Sequence, residues 1–215
     1  MKSKGFSLFV LVVLALGFTF WIGCEAPVSF VEPQPQGEPD LPEFPKVLRG
    51  NYLSEDQASV LTIGSTVMYR TYDYDEVLAP DSLNASTGKD TVMRIKAGGF
   101  ELTSTRKDST LNHVHYVDTL VVLSENQVLR KLKGYYFIST LLETDTWEVN
   151  MLELSRGNLS LGSISSRREL EELKEFAATP GDTAPVRVKL TRKQFKDFVK
   201  KDGFSYGETF KKIRL

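Results

Sequence analysis

His113 and His115 are the only imidazoles in the chain. They stand two apart in a run that reads as a strand, so alternation puts both rings on one face, as two metal ligands would need. A zinc site takes three or four ligands, and Glu101 or Asp118 would have to complete it. An exposed strand face explains the pair without a metal, and no metal site is expected. The run Tyr72-Asp73-Tyr74-Asp75-Glu76 gathers three carboxylates. Calcium takes six or more oxygens, and this run lacks the turn Gly and distal Glu of a calcium loop. An acidic loop at a strand end is the expected structure. The 28 acidic residues offer many carboxylate pairs for glycoside hydrolysis, none set apart by its context. There is no G-x-S-x-G, no H-E-x-x-H and no Walker-type loop, since Thr87-Gly88-Lys89-Asp90 lacks the first Gly and the Ser/Thr. Cys24 is the single cysteine, which removes intramolecular thiol redox work. These residues point to no catalytic centre and no cofactor.

Cys24 closes a segment suited to export. Lys2 and Lys4 precede Phe6 to Ile22, seventeen residues without a charge. That length is at the short end for a membrane span. A charged start, apolar middle and small-residue exit make a secretory signal. A small-x-small exit over Cys24 and Ala26 would leave Pro27 next, a poor fit. Ile22-Gly23-Cys24 instead resembles the lipobox of bacterial lipoproteins. The resemblance implies that residues 1–23 are a cleaved signal peptide and that Cys24, the new first residue, carries a diacylglyceryl group. A free thiol is a liability in an oxidising compartment. Two or three acyl chains, at about 0.8 kcal/mol per buried CH₂, hold a protein firmly on a bilayer. An uncleaved signal anchor is the alternative, and both put the remainder outside the cytoplasm. Glu25 is not an Asp-type retention signal, so a lipid-anchored place in the bacterial outer membrane is expected.

Glu25 to Lys46 holds six of the nine prolines. This density disfavours helix and sheet ladders and favours semi-rigid polyproline II, which would carry a domain up to roughly 60 Å from the bilayer. Residues 24–45 thus read as a lipidated, Pro-rich spacer, and residues 46–215 as one domain of ordinary size.

The body is a succession of β-type runs with turn signals between them. Ser59–Ile63 and Thr66–Arg70 flank Gly64-Ser65, a two-residue hairpin signal. Thr91–Lys96 and Phe100–Ser104 flank Ala97-Gly98-Gly99. Further strands are expected at Val114–Ser124, Val128–Leu132, Tyr135–Leu142, Trp147–Leu154, Leu159–Ile164, Val186–Leu190 and Thr209–Leu215. Local connections make them antiparallel. Two helices interrupt. Ser166-Arg-Arg-Glu169 and Thr191-Arg-Lys-Gln194 are capping boxes, each followed by an apolar stripe; Gly203 is placed to end the second.

Leu48-x-Gly50-x-Tyr52 opens this succession much as the first strand opens lipocalin-like domains, which usually read Gly-x-Trp. With GYYF at 134–137, Trp147 to Leu154 and a late amphipathic helix, residues 46–215 are similar to lipocalin-like lipoproteins of Gram-negative bacteria. The resemblance implies a mainly β fold, an antiparallel up-and-down β-barrel with two short helices; a β-sandwich is the alternative. It also implies a lipid-anchored envelope protein that binds a small or apolar ligand or serves as an accessory subunit. An envelope carbohydrate-active enzyme or a purely structural lipoprotein are the other readings.

Charge is unevenly laid out. Residues 187–215 hold ten Lys/Arg and three Asp/Glu, whereas residues 24–186 hold fifteen and twenty-five. The basic end is interleaved with Phe195, Phe198, Phe204, Tyr206 and Phe210, but an exported, lipid-anchored protein rarely meets nucleic acid and the phenylalanines fall where a core needs them, so nucleic acid is not an expected partner. Six of twelve Asp residues precede Ser or Thr. Five of these resemble the Asp-Ser/Thr-apolar O-glycosylation sequon of some Gram-negative bacteria, with Ser82, Thr91, Ser109, Thr119 and Thr183 as acceptors. Turn chemistry between strands is the competing explanation.

Overall fold

A computed structural model of the protein describes residues 28–77, 92–97, 99–106, 111–142, 145–176 and 186–214. Turn chemistry sets its hairpins. Lys133-Gly134 and Arg156-Gly157 all take positive φ, between +51° and +95°, the left-handed pair that a two-residue type I′ turn requires. Leu132 therefore pairs with Tyr135, and Ser155 with Asn158. Gly64 does not act this way. Ile63 pairs with Met68, so the loop is Gly64 to Val67. The shift is two residues, and side chains keep the faces that alternation assigned them.

The strands are β1 (Val28–Phe30), β2 (Gly50–Ser54), β3 (Val60–Ile63), β4 (Val67–Val77), β5 (Val92–Ala97), β6 (Phe100–Arg106) and β7 (Leu111–Val122). They continue as β8 (Gln127–Leu132), β9 (Tyr135–Leu141), β10 (Trp147–Ser155), β11 (Asn158–Ser163), β12 (Val186–Val188) and β13 (Ser205–Ile213). The helices are α1 (Arg167–Lys174) and α2 (Arg192–Lys200). Among the described residues the strands form one sheet rather than the two of a sandwich, and its ladder does not close. Its main run is β8-β9-β10-β11-β13-β2-β3-β4-β7-β6-β5, with β1 and β12 attached beside β10. All pairs are antiparallel except β1 with β12. A simple up-and-down order would set β4 beside β5. Instead β4 pairs along its whole length with β7, from Val67–Val122 to Val77–Leu111, and the β5–β6 hairpin lies outside them.

The sheet is strongly curled. Arg70 on β4 forms a bidentate ion pair with Glu208 on β13, although β2 and β3 lie between those strands. In a flat sheet they would stand about 14 Å apart. Curling separates two cores. The concave one holds Phe44, Leu48, Tyr52, Leu61, Tyr136, Ile138, Leu152 and Phe210. The convex one holds Phe30, Phe137, Val149, Met151, Leu173, Phe195, Phe198 and Phe204 under the two helices. Strand β9 serves both, which is why four successive residues from Tyr136 to Ser139 are buried.

Both capping boxes form, Ser166 with Glu169 and Thr191 with Gln194. Gly203 differs in role. The left-handed residue after α2 is Asp202, at φ +55°. A Cβ on Gly203 would lie 2.6 Å from the Phe198 ring and carbonyl oxygen, so the glycine serves close approach.

Residues 28–45 do not stand away from the domain as a spacer. Val28 and Phe30 belong to the convex core and Phe44 to the concave one. Buried Gln34 exchanges hydrogen bonds with the Ser139 hydroxyl, its N–H donating at 3.1 Å and its C=O accepting at 3.3 Å. Leu41 bridges Leu129, and the Phe44 N–H donates to the Ser65 carbonyl at 2.7 Å. Prolines bar ladders only where they sit; the apolar residues between them reach the core, and burial outweighs the polyproline preference.

Candidate functional site

Alternation along four strands points one row of side chains into the curl. Cross-strand partners Ile138–Asn150, Thr140–Glu148, Leu152–Leu161 and Leu161–Glu208 all lie on this row. One part of the interior is filled by Tyr52, Phe44, Leu48 and Phe210. The Tyr52 hydroxyl donates to the Leu48 carbonyl at 2.6 Å, and burial pushes its pKa up to about 12. Elsewhere the row leaves a cavity of about 470 Å³. Its apolar wall is Met68, Val121, Ile138, Leu152 and Leu161; Thr140, Glu148, Asn150 and Glu208 supply polar groups. That volume lies within the roughly 300–1,000 Å³ of small-molecule sites.

The Arg70–Glu208 pair borders it. The Arg70 side chain is only 14% exposed and its guanidinium lies 5.1 Å from the centre of the Phe210 ring. Burial alone would lower its pKa, but hydrogen bonds to Glu208 and the Tyr72 hydroxyl raise it overall, so Arg70 is a fixed cation. Glu208 directs both carboxylate oxygens to Arg70, leaving Glu148 as the carboxylate of the cavity with no such partner among the described residues. Glu208 and Gly207 also line a second, more polar hollow of about 470 Å³ with Ser54, Asp56, Ser59 and Arg70.

The histidines and the acidic run meet on the opposite face. The run is not a loop but the second half of β4, and register sets Asp73 against His115 and Asp75 against His113. The His115 Nδ1 lies 2.7 Å from Asp73 Oδ1, and the His113 Nδ1 3.1 Å from Asp75 Oδ1. All four side chains are about half exposed. Asp118, at an even position like Tyr116, lies on the other face opposite Arg70, and Glu101 turns to Lys96 at 3.8 Å. Among the described residues no group of three or more His, Cys, Asp or Glu is arranged to hold a metal ion.

Cys24, Ser82, Thr91, Ser109 and Thr183 lie outside the described residues. Thr119 lies inside β7 rather than in a turn, half-buried, with its N–H donating to the Gly99 carbonyl at 2.9 Å. Phe195, Phe198, Phe204 and Phe210 are buried, whereas Tyr206 is half exposed and its hydroxyl donates to Glu153. No helix among the described residues is long and apolar enough to cross a membrane. Sequence reading missed Arg70 and Glu208. They are 138 residues apart and their meeting follows from the curl alone. No family model, curated protein or solved structure matches the chain.

Proposed function

We propose that this is a lipid-anchored protein of the bacterial outer membrane, held by an acylated Cys24, whose barrel-like, lipocalin-like sheet receives a small, largely apolar ligand. The observation that carries the reading is the cavity of about 470 Å³ inside the curl, with an apolar wall and a few polar groups on one side. Apolar surface lined this way gains by excluding water, at about 25 cal/mol per Å² buried, and the polar groups orient what enters.

Native mass spectrometry of the protein extracted from its own membranes, paired with binding of an apolar fluorescent dye, tests the ligand. Leu161→Trp fills the cavity from β11. Dye binding is expected to fall at least tenfold in that variant with the fold intact by circular dichroism. Equal binding by the variant and the wild type would refute an interior site.

A further inference from the structure

Cys24 and Val28 are four residues apart. A fully extended chain spans at most about 3.6 Å per residue, so that link reaches roughly 14 Å. Val28 is not the top of a stalk. It is buried and pairs in parallel register with Val186 of β12, a strand at one end of the sheet. With Cys24 acylated, as proposed above and as this inference requires, the β1–β12 edge is the pole of the domain next to the bilayer.

The chain that follows from that edge is basic, with Glu38 set against it at Arg192. Residues 186–203 carry seven Lys/Arg and two Asp, against an acidic excess over residues 24–186. Val186 and Val188 turn into the convex core, so Arg187 and Lys189 alternate outward and are exposed. Arg187 lies abreast of Ser29; Lys189 is three residues, about 10 Å, along from Val186. Arg192 and Lys193 follow in the first turn of α2, exposed, where the helix macrodipole disfavours cations and where no acidic residue stands. Arg192 pairs with Glu38, whereas Arg187, Lys189 and Lys193 form no ion pair with a described residue. Glu38 compensates Arg192, whereas at Lys193 the local rule is broken without a partner among the described residues, which is a mark of function.

We propose that Arg187, Lys189, Arg192 and Lys193 form a docking surface for the phosphates of anionic lipid headgroups, which with the acyl anchor seats the domain directly on the bilayer. Distance decides whether such charges matter. The attraction of an anionic leaflet fades over a Debye length, about 8 Å at physiological ionic strength. A link of roughly 14 Å leaves extended Lys and Arg side chains within that range, and a spacer of roughly 60 Å would not.

The full chain is purified in detergent from membranes of a Gram-negative host, and the Cys24 peptide is weighed. The protein is then reconstituted into vesicles of phosphatidylcholine with or without phosphatidylglycerol, and lysine acetylation rates are read by mass spectrometry. Lys189 and Lys193 are expected to react at least fivefold more slowly in the anionic vesicles than in detergent, with Lys96, Lys131 and Lys211 unchanged. The R187E/R192E variant, which keeps both reporter lysines, is expected to lose that protection while remaining in the vesicles. Acyl chains on Cys24 with no protection would overturn the docking surface and leave the anchor standing. Equal protection in neutral vesicles would overturn the role of anionic phosphate. An unacylated Cys24 would overturn the anchor and, with it, the docking.

Discussion

Phe30→Ala separates a packed N-terminal segment from a spacer. Phe30 is fully buried in the convex core and meets the Phe195 ring edge-on at 6.3 Å. Truncating a buried Phe costs about 3–5 kcal/mol, the lost transfer energy plus the cavity left behind; loss of the edge-on aromatic contact favours the upper part of that range. For a domain of this size each kcal/mol moves Tm by about 2–4 °C, so a fall of roughly 6–20 °C is expected. Thermal unfolding of the detergent-solubilised full chain, followed by circular dichroism, reads it directly. Val47→Ala, at a side chain 55% exposed, is the control and should stay within about 0.5 kcal/mol of wild type. A chain that begins at Lys46, where the composition changes, would lose Val28, Phe30, Gln34 and Phe44 together and should not fold. If Phe30→Ala melts within about 2 °C of wild type, the packing of residues 28–45 is wrong and the spacer reading returns.

Glu169 is 1% exposed, and its carboxylate accepts from the Ser165 and Ser166 N–H groups, both at 2.8 Å, and from the Ser205 hydroxyl at 2.6 Å. Burial by itself would raise its pKa, but these bonds outweigh it and hold the group below the usual carboxylate range. Its contribution is therefore present above the unfolded pKa of about 4.3 and lost as pH falls through the lower folded value. Glu169→Gln should cost about 2 kcal/mol near neutrality, with the gap to wild type closing below about pH 4; a gap independent of pH in urea titrations would contradict this. Gly203→Ala should destabilise by about 2 kcal/mol or more, because its Cβ would strike Phe198, and a neutral urea midpoint would show that α2 can shift. Lys133→Asn should raise stability by a few tenths of a kcal/mol, about what matching the type I′ turn is worth, and a lower Tm would count against that turn. Arg70 and Glu208 should couple by about 1–2 kcal/mol in a double-mutant cycle with Arg70→Met and Glu208→Gln, discounted because Glu208 is half exposed; zero coupling would remove the pair as a brace of the curl.

Local chemistry was written in the residues, and it was legible. The capping boxes at Ser166 and Thr191, the glycine turns at Gly134 and Gly157, and the alternation through β8 to β11 depend on neighbours a few positions apart. They therefore formed where propensity and period placed them. The preference of α2 for burying Phe195 and Phe198 was legible for the same reason. What lay beyond the sequence was every choice between distant partners. Nothing local tells β4 to take β7 rather than β5, because both are antiparallel neighbours of suitable pattern; length and curl decide. Nothing local brings Asp73 to His115, or Arg70 to Glu208. Composition misdirected the reading of residues 28–45, since proline counts describe backbone preference while Phe30 answers to a core whose other strands and helices come more than a hundred residues later, and Phe44 to one shared with Tyr52, Leu61 and Tyr136. The sequence alone determined both helices, most of the strands with the faces they present, and the lone Cys24 after an apolar run. The tertiary structure decided strand order, the cavity inside the curl and the burial of Val28 beside Val186, because each depends on contacts between chain segments that share no local signal.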